Sequence, residues 1–178
     1  NPQLLRSQFA ALLRAGVAGS LRVALPMVSS REEMERALDI MHETKRSLRE
    51  AKRMFNENVP VGVVVETPAA ALCALELAQK AAFFCVDLAN LAQYTHAADR
   101  TQADVQPYFS VTSQAVQQLV GMVLEAAKKA NIPMVLCCDN AAQPSMVESY
   151  ARLGVRCFSM AAGDILPAKE YLMGMSLQ

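Results

Sequence analysis

The sequence carries no surplus of either charge: 17 lysines and arginines face 17 aspartates and glutamates in 178 residues. A neutral chain lacks the basic footprint that broad binding to nucleic acid or an anionic membrane surface requires, although a few arginines converging locally still suffice for a small anion. No apolar run reaches the roughly 18–20 residues that span a bilayer. The first residues are polar and Arg-containing, unlike a signal peptide. Five cysteines are present, Cys73, Cys85, Cys137, Cys138 and Cys157, with no CxxC pair among them, so a structural zinc site lacks support. An odd number of cysteines set mostly in apolar runs argues against a disulfide framework and for free, buried thiols in a reducing cytosol. A glycine-rich phosphate loop and a GxSxG elbow are also missing, which removes support for nucleotide-binding and serine-hydrolase readings. Internal repeats, low-complexity tracts and linkers are absent as well. These absences lead to the expectation of a cytoplasmic chain that partners neither nucleic acid nor membrane.

What is present is enough apolar material, 53% of residues, for a core in a single domain over 1–178. Leu4, Leu5, Phe9, Leu12 and Leu13 recur at helical spacing, and Gly16 stops them. Leu21 to Leu25 is a short apolar strand closed by Pro26. Ser30 and Glu33 form a capping box for a helix with Met34, Ala37, Leu38 and Met41 inside, running on towards Phe55. Val61 to Val65 is a β-branched, buried strand. Thr67 and Pro68 open an alanine-rich helix to about Lys80. Phe83 to Leu88 is a third strand, and 89–112 reads as a long connection. Ser113 caps a helix with Val116, Leu119, Val120, Val123 and Leu124 inside. Met134 to Cys138, a helix from Pro144 to Gly154, Arg156 to Met160 and a helix from Ile165 to Met173 complete the alternation. Strands and helices in strict alternation predict a parallel α/β sheet. A complete (β/α) barrel has eight strands in about 250 residues. The fold class is therefore a partial TIM-type barrel, about five βα units preceded by a helix, with the first strands missing.

Barrel active sites lie at the carboxyl ends of the strands, and that rule selects candidates before any motif does. Glu66 ends the second strand, where a carboxylate requires compensation against desolvation. A divalent metal supplies it in one reading, and solvent or the adjoining helix N-terminus in the other. Cys137 ends the fourth strand, either as a proton-transferring thiol or as a small buried hydrophobe. Arg22 lies inside an apolar strand, which is costly unless it reaches a polar mouth or a partner. Arg100 lies in the long connection, as a phosphate clamp or a solvated charge. His42 reads as an exposed helix residue and His96 as a polar loop residue.

The segments RVALPM (Arg22–Met27), VETPAA (Val65–Ala70), QYTHAADR (Gln93–Arg100), the strand carrying Cys137 and FSM (Phe158–Met160) together resemble the phosphoenolpyruvate (PEP)-binding barrel of enzyme I of the bacterial sugar phosphotransferase system. Pyruvate phosphate dikinase and PEP synthase share that barrel. VETPAA followed by QYTxAxDR is the specific part, and the resemblance runs essentially end to end. It implies a transferase of the kinase type, a PEP–protein phosphotransferase in which PEP phosphorylates a histidine on a separate upstream domain that then serves a phosphocarrier protein. By the same resemblance Glu66 is a Mg²⁺ ligand, Arg22 and Arg100 bind the substrate's phosphate, Cys137 is the catalytic cysteine acting at the methylene carbon, and the barrel forms a homodimer.

The sequence departs from the family where the family reads GTNDL before QYT. Here Asp87-Leu88-Ala89-Asn90-Leu91 stands instead. Ala89 replaces an asparagine that contacts substrate, and Asn90 replaces the second metal carboxylate. An amide carbonyl at Asn90 brings no charge, so Mg²⁺ binding is expected to be weak or lost unless Asp87 points inward as a substitute. Cys138 and Asp139 replace the usual Gly-Glu after the cysteine. Three functions follow: the PEP-binding domain of an enzyme I-like phosphotransferase, inactive as this chain alone; a non-catalytic, degenerate binding, regulatory or dimerisation module; and an aldolase- or lyase-type barrel, which QYTHAADR disfavours.

Overall fold

The computed structural model describes residues 1–138 and 143–174. Five strands, β1 (Val23–Leu25), β2 (Val61–Val65), β3 (Phe84–Asp87), β4 (Met134–Cys137) and β5 (Phe158–Ser159), pair in the order β1-β2-β3-β4-β5, and every pairing is parallel. Parallel neighbours joined in sequence order need crossovers, and right-handed crossovers stepping in one direction put their helices on a single face. Those helices are α1 (Pro2–Ala15), α2 (Arg31–Glu50), α3 (Pro68–Leu72), α4 (Ala74–Ala78), α5 (Leu88–His96), α6 (Gln114–Ala130), α7 (Pro144–Leu153) and α8 (Ala162–Met173). The expected βα units and their leading helix are thus present, as part of a barrel wall with β1 and β5 at its edges among the described residues.

Strand alternation sorts side chains between the two faces. Val63, Val65, Phe84, Val86 and Leu136 are fully buried beneath the helices. Val64, Cys85, Val135 and Cys137 lie on the other face and are only half-buried. Gly62 is the exception on that face, because the Phe83 ring lies across it.

Local chemistry accounts for the helix boundaries. Asn1 accepts from the Gln3 N–H at the start of α1, and Ser30 accepts from the Glu33 N–H at the start of α2. The expected capping box is offset by one residue: the Glu33 carboxylate accepts the N–H of Ser29 rather than that of Ser30. Helix α2 stops at Glu50, short of Phe55. The alanine-rich segment is broken at Cys73 into α3 and α4. Tyr150, fully buried on α7, donates its hydroxyl hydrogen to the Val111 carbonyl and ties α7 to the segment before α6.

The largest correction concerns 89–112, which is not one long connection. Helix α5 occupies Leu88–His96 and a 3-10 turn occupies Gln106–Tyr108. The Asp87 carboxylate accepts the Asn90 N–H and so caps α5, whose Leu88, Leu91 and Ala92 are buried at helical spacing. Strand β3 ends one residue earlier than expected, so that Leu88 passes from strand to helix while Asp87 is both the last strand residue and the helix cap.

A Cβ added at Gly62 would lie 2.5 Å from the Phe83 carbonyl oxygen and 2.7 Å from its ring carbons. Backbone cannot yield as a flexible side chain can, so Gly62→Ala is expected to cost at least about 2 kcal/mol, roughly a 4–8 °C fall in Tm. Thermal unfolding followed by circular dichroism checks this, and an unchanged Tm would show that Phe83 does not fix this strand pair.

Candidate functional site at the carboxyl end of the sheet

The carboxyl ends of β1, β2, β3 and β4 converge on a small polar cluster. Its centre is Glu66, only 6% exposed and the first residue past β2. A carboxylate buried to that degree requires hydrogen-bond donors, and it has two. The backbone N–H of Met27 donates to Oε1 at 2.7 Å, and Nδ2 of Asn90 donates to Oε2 at 2.9 Å. The Met27 donor depends on the turn after β1, where Pro26 sets one corner and Met27 takes a positive φ of 56°. That conformation costs a non-glycine residue roughly 1–2 kcal/mol, offset here by a charge-assisted hydrogen bond. The hydroxyls of Ser29 and Thr67, 2.9 Å apart, join the same two loops a step further out.

Asp87 and Asn90 come from the first turn of α5. The Asp87 carboxylate accepts the Asn90 backbone N–H on Oδ1 at 2.9 Å and the Asn90 side-chain amide on Oδ2 at 3.0 Å. The carbonyl end of the same amide accepts from Nη1 of Arg100 at 2.8 Å. Gln93, one turn along α5, accepts the Arg100 backbone N–H at 3.3 Å. Asn90 is therefore a hub, with its NH₂ toward Glu66 and Asp87 and its oxygen toward Arg100. The reverse orientation would set oxygen against two carboxylates and NH₂ against a guanidinium, so the charges alone select the observed one.

Cys137 enters from the neighbouring strand, because the β3–β4 register pairs it with Asp87. Cys85 pairs with Val135, two residues back, so Cys85 and Cys137 share the half-buried face. The neighbouring Cys137 S–H favours a Cys85 thiolate, which lowers the Cys85 pKa to about 7. The same interaction, then burial and the negative charges of Cys85 and Asp87, push the Cys137 thiol well above the ordinary range and keep it protonated.

Glu66, Asp87, Asn90, Arg100 and Cys137 are thus brought to one end of the sheet. Arg22 is not among them. It precedes β1 at the amino end, is exposed, and sets its guanidinium 5.8 Å from the centre of the Phe83 ring, a cation–π contact. The run Leu21–Leu25 suggested a longer strand, but β1 begins only at Val23. His96 sits in the last turn of α5, with Nε2 2.8 Å from the Ser113 hydroxyl and 3.2 Å from the Ser110 carbonyl, so it joins α5 to the start of α6. His42 lies within α2. Residues 139–142, which hold the departure at Asp139, lie outside the described residues. Sequence reasoning missed the Met27 N–H and Cys85. A proline-led turn after β1 pointed to the first, and the two-residue stagger of cysteines on adjacent strands pointed to the second.

The donor set does not fit Mg²⁺ as it stands. The ion demands near-octahedral oxygen ligands. Here the group shared by the two carboxylates is an amide nitrogen, while the Asn90 oxygen, expected to be offered to a metal, is turned to Arg100. Among the described residues no group of three or more His, Cys, Asp or Glu side chains is placed to hold a metal.

Comparison with known proteins agrees with this architecture. The sequence matches the family described as "PEP-utilising enzyme, PEP-binding domain" over residues 1–177. The chain belongs to that family of PEP-utilising enzymes and spans its PEP-binding domain. It is 33% identical over 172 residues to a phosphoenolpyruvate-protein phosphotransferase of Listeria monocytogenes, covering 97% of this chain and 30% of the relative. It is also 33% identical over 176 residues to the protein of that name in Bacillus subtilis, covering 99% of this chain and 31% of the relative. The chain therefore spans about three tenths of the length of these relatives. Among solved structures, a citrate lyase from Burkholderia xenovorans superposes with a TM-score of 0.68 at 17% identity, over 93% of this chain and 53% of that one. At that identity the likeness concerns the fold alone.

The thiol pair gives a pH-dependent reactivity. As pH rises through about 7 the Cys85 thiolate fraction grows, so alkylation of the pair by iodoacetamide accelerates across that range. Cys137→Ala removes the donor and moves the inflection up towards the ordinary thiol value of about 8.5. Peptide mass spectrometry of pulse-alkylated protein reads it, and an inflection unmoved by Cys137→Ala would show that the two thiols do not interact.

Proposed function

We propose that this chain is the PEP-binding part of a PEP–protein phosphotransferase, and that PEP lies at the carboxyl end of the sheet between Arg100 and Cys137. The observation that carries the reading is the convergence of Arg100, anchored through Asn90 to Glu66 and Asp87, with a protonated thiol one strand away. Phosphoryl transfer is chiefly a matter of positioning and charge stabilisation. A guanidinium offers planar, bidentate donors suited to phosphate oxygens. Its own orientation is fixed here, since the Asn90 carbonyl holds one Nη and Gln93 holds the backbone.

Transfer of the phosphoryl group to an acceptor leaves the enolate of pyruvate, which needs a proton at its methylene carbon. Cys137 is the donor in this reading. A general acid must hold its proton until the carbon is basic enough to take it, and the raised Cys137 pKa meets that requirement. Afterwards water returns a proton to the Cys137 thiolate, as its raised pKa favours. The acceptor would be a histidine on an upstream domain, which in turn serves a phosphocarrier protein, and the assembled protein would be a homodimer. Retention of an arginine, a buried glutamate and a protonated thiol in one place favours this reading over a non-catalytic module.

Isothermal titration of PEP into the chain tests it. Saturable binding is expected, weakened roughly 10–100-fold by Arg100→Ala, as befits loss of charge-assisted hydrogen bonds. Arg22→Ala should leave binding within about twofold. Equal effects of the two substitutions, or none from Arg100→Ala, would remove PEP from this end of the sheet.

A further inference from the structure

We propose that the Asn90 carboxamide occupies the place of a divalent cation between Glu66 and Asp87, and so makes this site independent of metal. This deepens the PEP-binding reading and rests on it for the site's use, while the arrangement of Asn90 can be tested without PEP.

The four carboxylate oxygens are all accounted for by N–H groups. Glu66 takes the Met27 N–H on Oε1 and Asn90 Nδ2 on Oε2, while Asp87 takes the Asn90 N–H on Oδ1 and Asn90 Nδ2 on Oδ2. One side-chain nitrogen thus bridges two anionic groups from different strands' ends, which is the bridging task a cation performs between carboxylates. An amide has no charge, but it has a dipole, and here the dipole is loaded at both ends. Arg100 lies against the oxygen, and polarisation along the chain of hydrogen bonds strengthens each link. The guanidinium charge is in this way relayed to Glu66 and Asp87, which it does not contact in any hydrogen bond of the structure.

A cation would have to displace that nitrogen, break the amide's links to both carboxylates, and find its remaining ligands from water or substrate. Asn90 could contribute its oxygen only by giving up Arg100. The exchange is unfavourable on both counts, since Mg²⁺ sheds water reluctantly and Arg100 would lose its anchor. Aspartate at position 90 reverses the logic. It removes both side-chain N–H donors and sets a third carboxylate beside Glu66 and Asp87, a concentration of negative charge that a bound cation relieves at neutral pH.

The test is a Mn²⁺ titration read by the electron paramagnetic resonance of the free ion, with no PEP present, on the wild-type chain, Asn90→Asp and Asn90→Ala. The wild type is expected to take up no stoichiometric Mn²⁺. Asn90→Asp is expected to bind one ion at least tenfold more tightly than wild type, and to melt lower than wild type in EDTA but recover with Mn²⁺. If Asn90→Asp does not fold, Asn90→Ala is read in its place, because clearing the amide from between two carboxylates must also raise Mn²⁺ uptake above wild type. Saturable Mn²⁺ binding by the wild type that Glu66→Gln abolishes would overturn the proposal. So would a folded Asn90→Asp with no gain in Mn²⁺ affinity, or no gain for Asn90→Ala where it is the variant read. Failure of PEP to bind, with the Mn²⁺ pattern as expected, would remove the PEP reading and leave the role of Asn90 standing.

Discussion

A carboxylate buried at the end of a strand is the constraint around which this end of the molecule is organised. Glu66 is out of water, and the cost of leaving it unpartnered exceeds that of a strained turn or a captured amide. The positive φ of Met27, the direction in which Asn90 points its NH₂ and the capture of Arg100 by the Asn90 carbonyl each answer that demand. The first comes from the segment after β1 and the other two from the segment after β3, while Glu66 itself follows β2. One buried charge thus connects the segments after β1, β2 and β3 into a single polar unit above an apolar core.

The core beneath does not depend on that unit. Strands β2, β3 and β4 carry Val63, Val65, Phe84, Val86 and Leu136 on the helix side, fully buried, and none of these side chains belongs to the cluster. This separation is general in (β/α) barrels, where the wall supplies stability and the loops at one end supply chemistry. It explains how a chain can keep the fold of its family while Ala89 and Asn90 stand where the resemblance implies asparagine and aspartate. The changed positions lie on the first turn of a capped helix, where neither side chain carries the sheet.

Most of the fold was legible in the sequence because strands of a parallel sheet, buried on the helix side, leave short β-branched runs, and their helices leave 3.6-residue stripes. Leu88–His96 was obscured because Leu88 follows the apolar run Phe83–Val86 after a single aspartate, so strand and helix share a boundary with no glycine or proline to mark it. Glu66, Arg100 and Cys137 were visible as polar or reactive residues at predicted strand ends or within a family motif. Arg22 carried a signal through the family motif, but it stands at the amino end of its strand, the opposite end of the sheet from the cluster. The Met27 donor is a backbone group, which no side-chain pattern reports. The orientation of the Asn90 amide depends on three partners distant in sequence, and it emerges only when Glu66, Asp87 and Arg100 are set around it.

The consecutive cysteines at the end of β4 show how sharply the pleat can divide identical chemistry. Cys137 stands on the half-buried face beside Cys85, while Cys138, the next residue, is turned into the packed side and is 3% exposed. Their covalent structures are the same and their backbones are continuous, yet one sits where a small molecule could meet it and the other is a packing atom. Two neighbouring letters of the sequence therefore act as an internal pair of dosimeters. The ratio of modification between them would report how much of a preparation is natively paired, without any comparison to an unfolded standard.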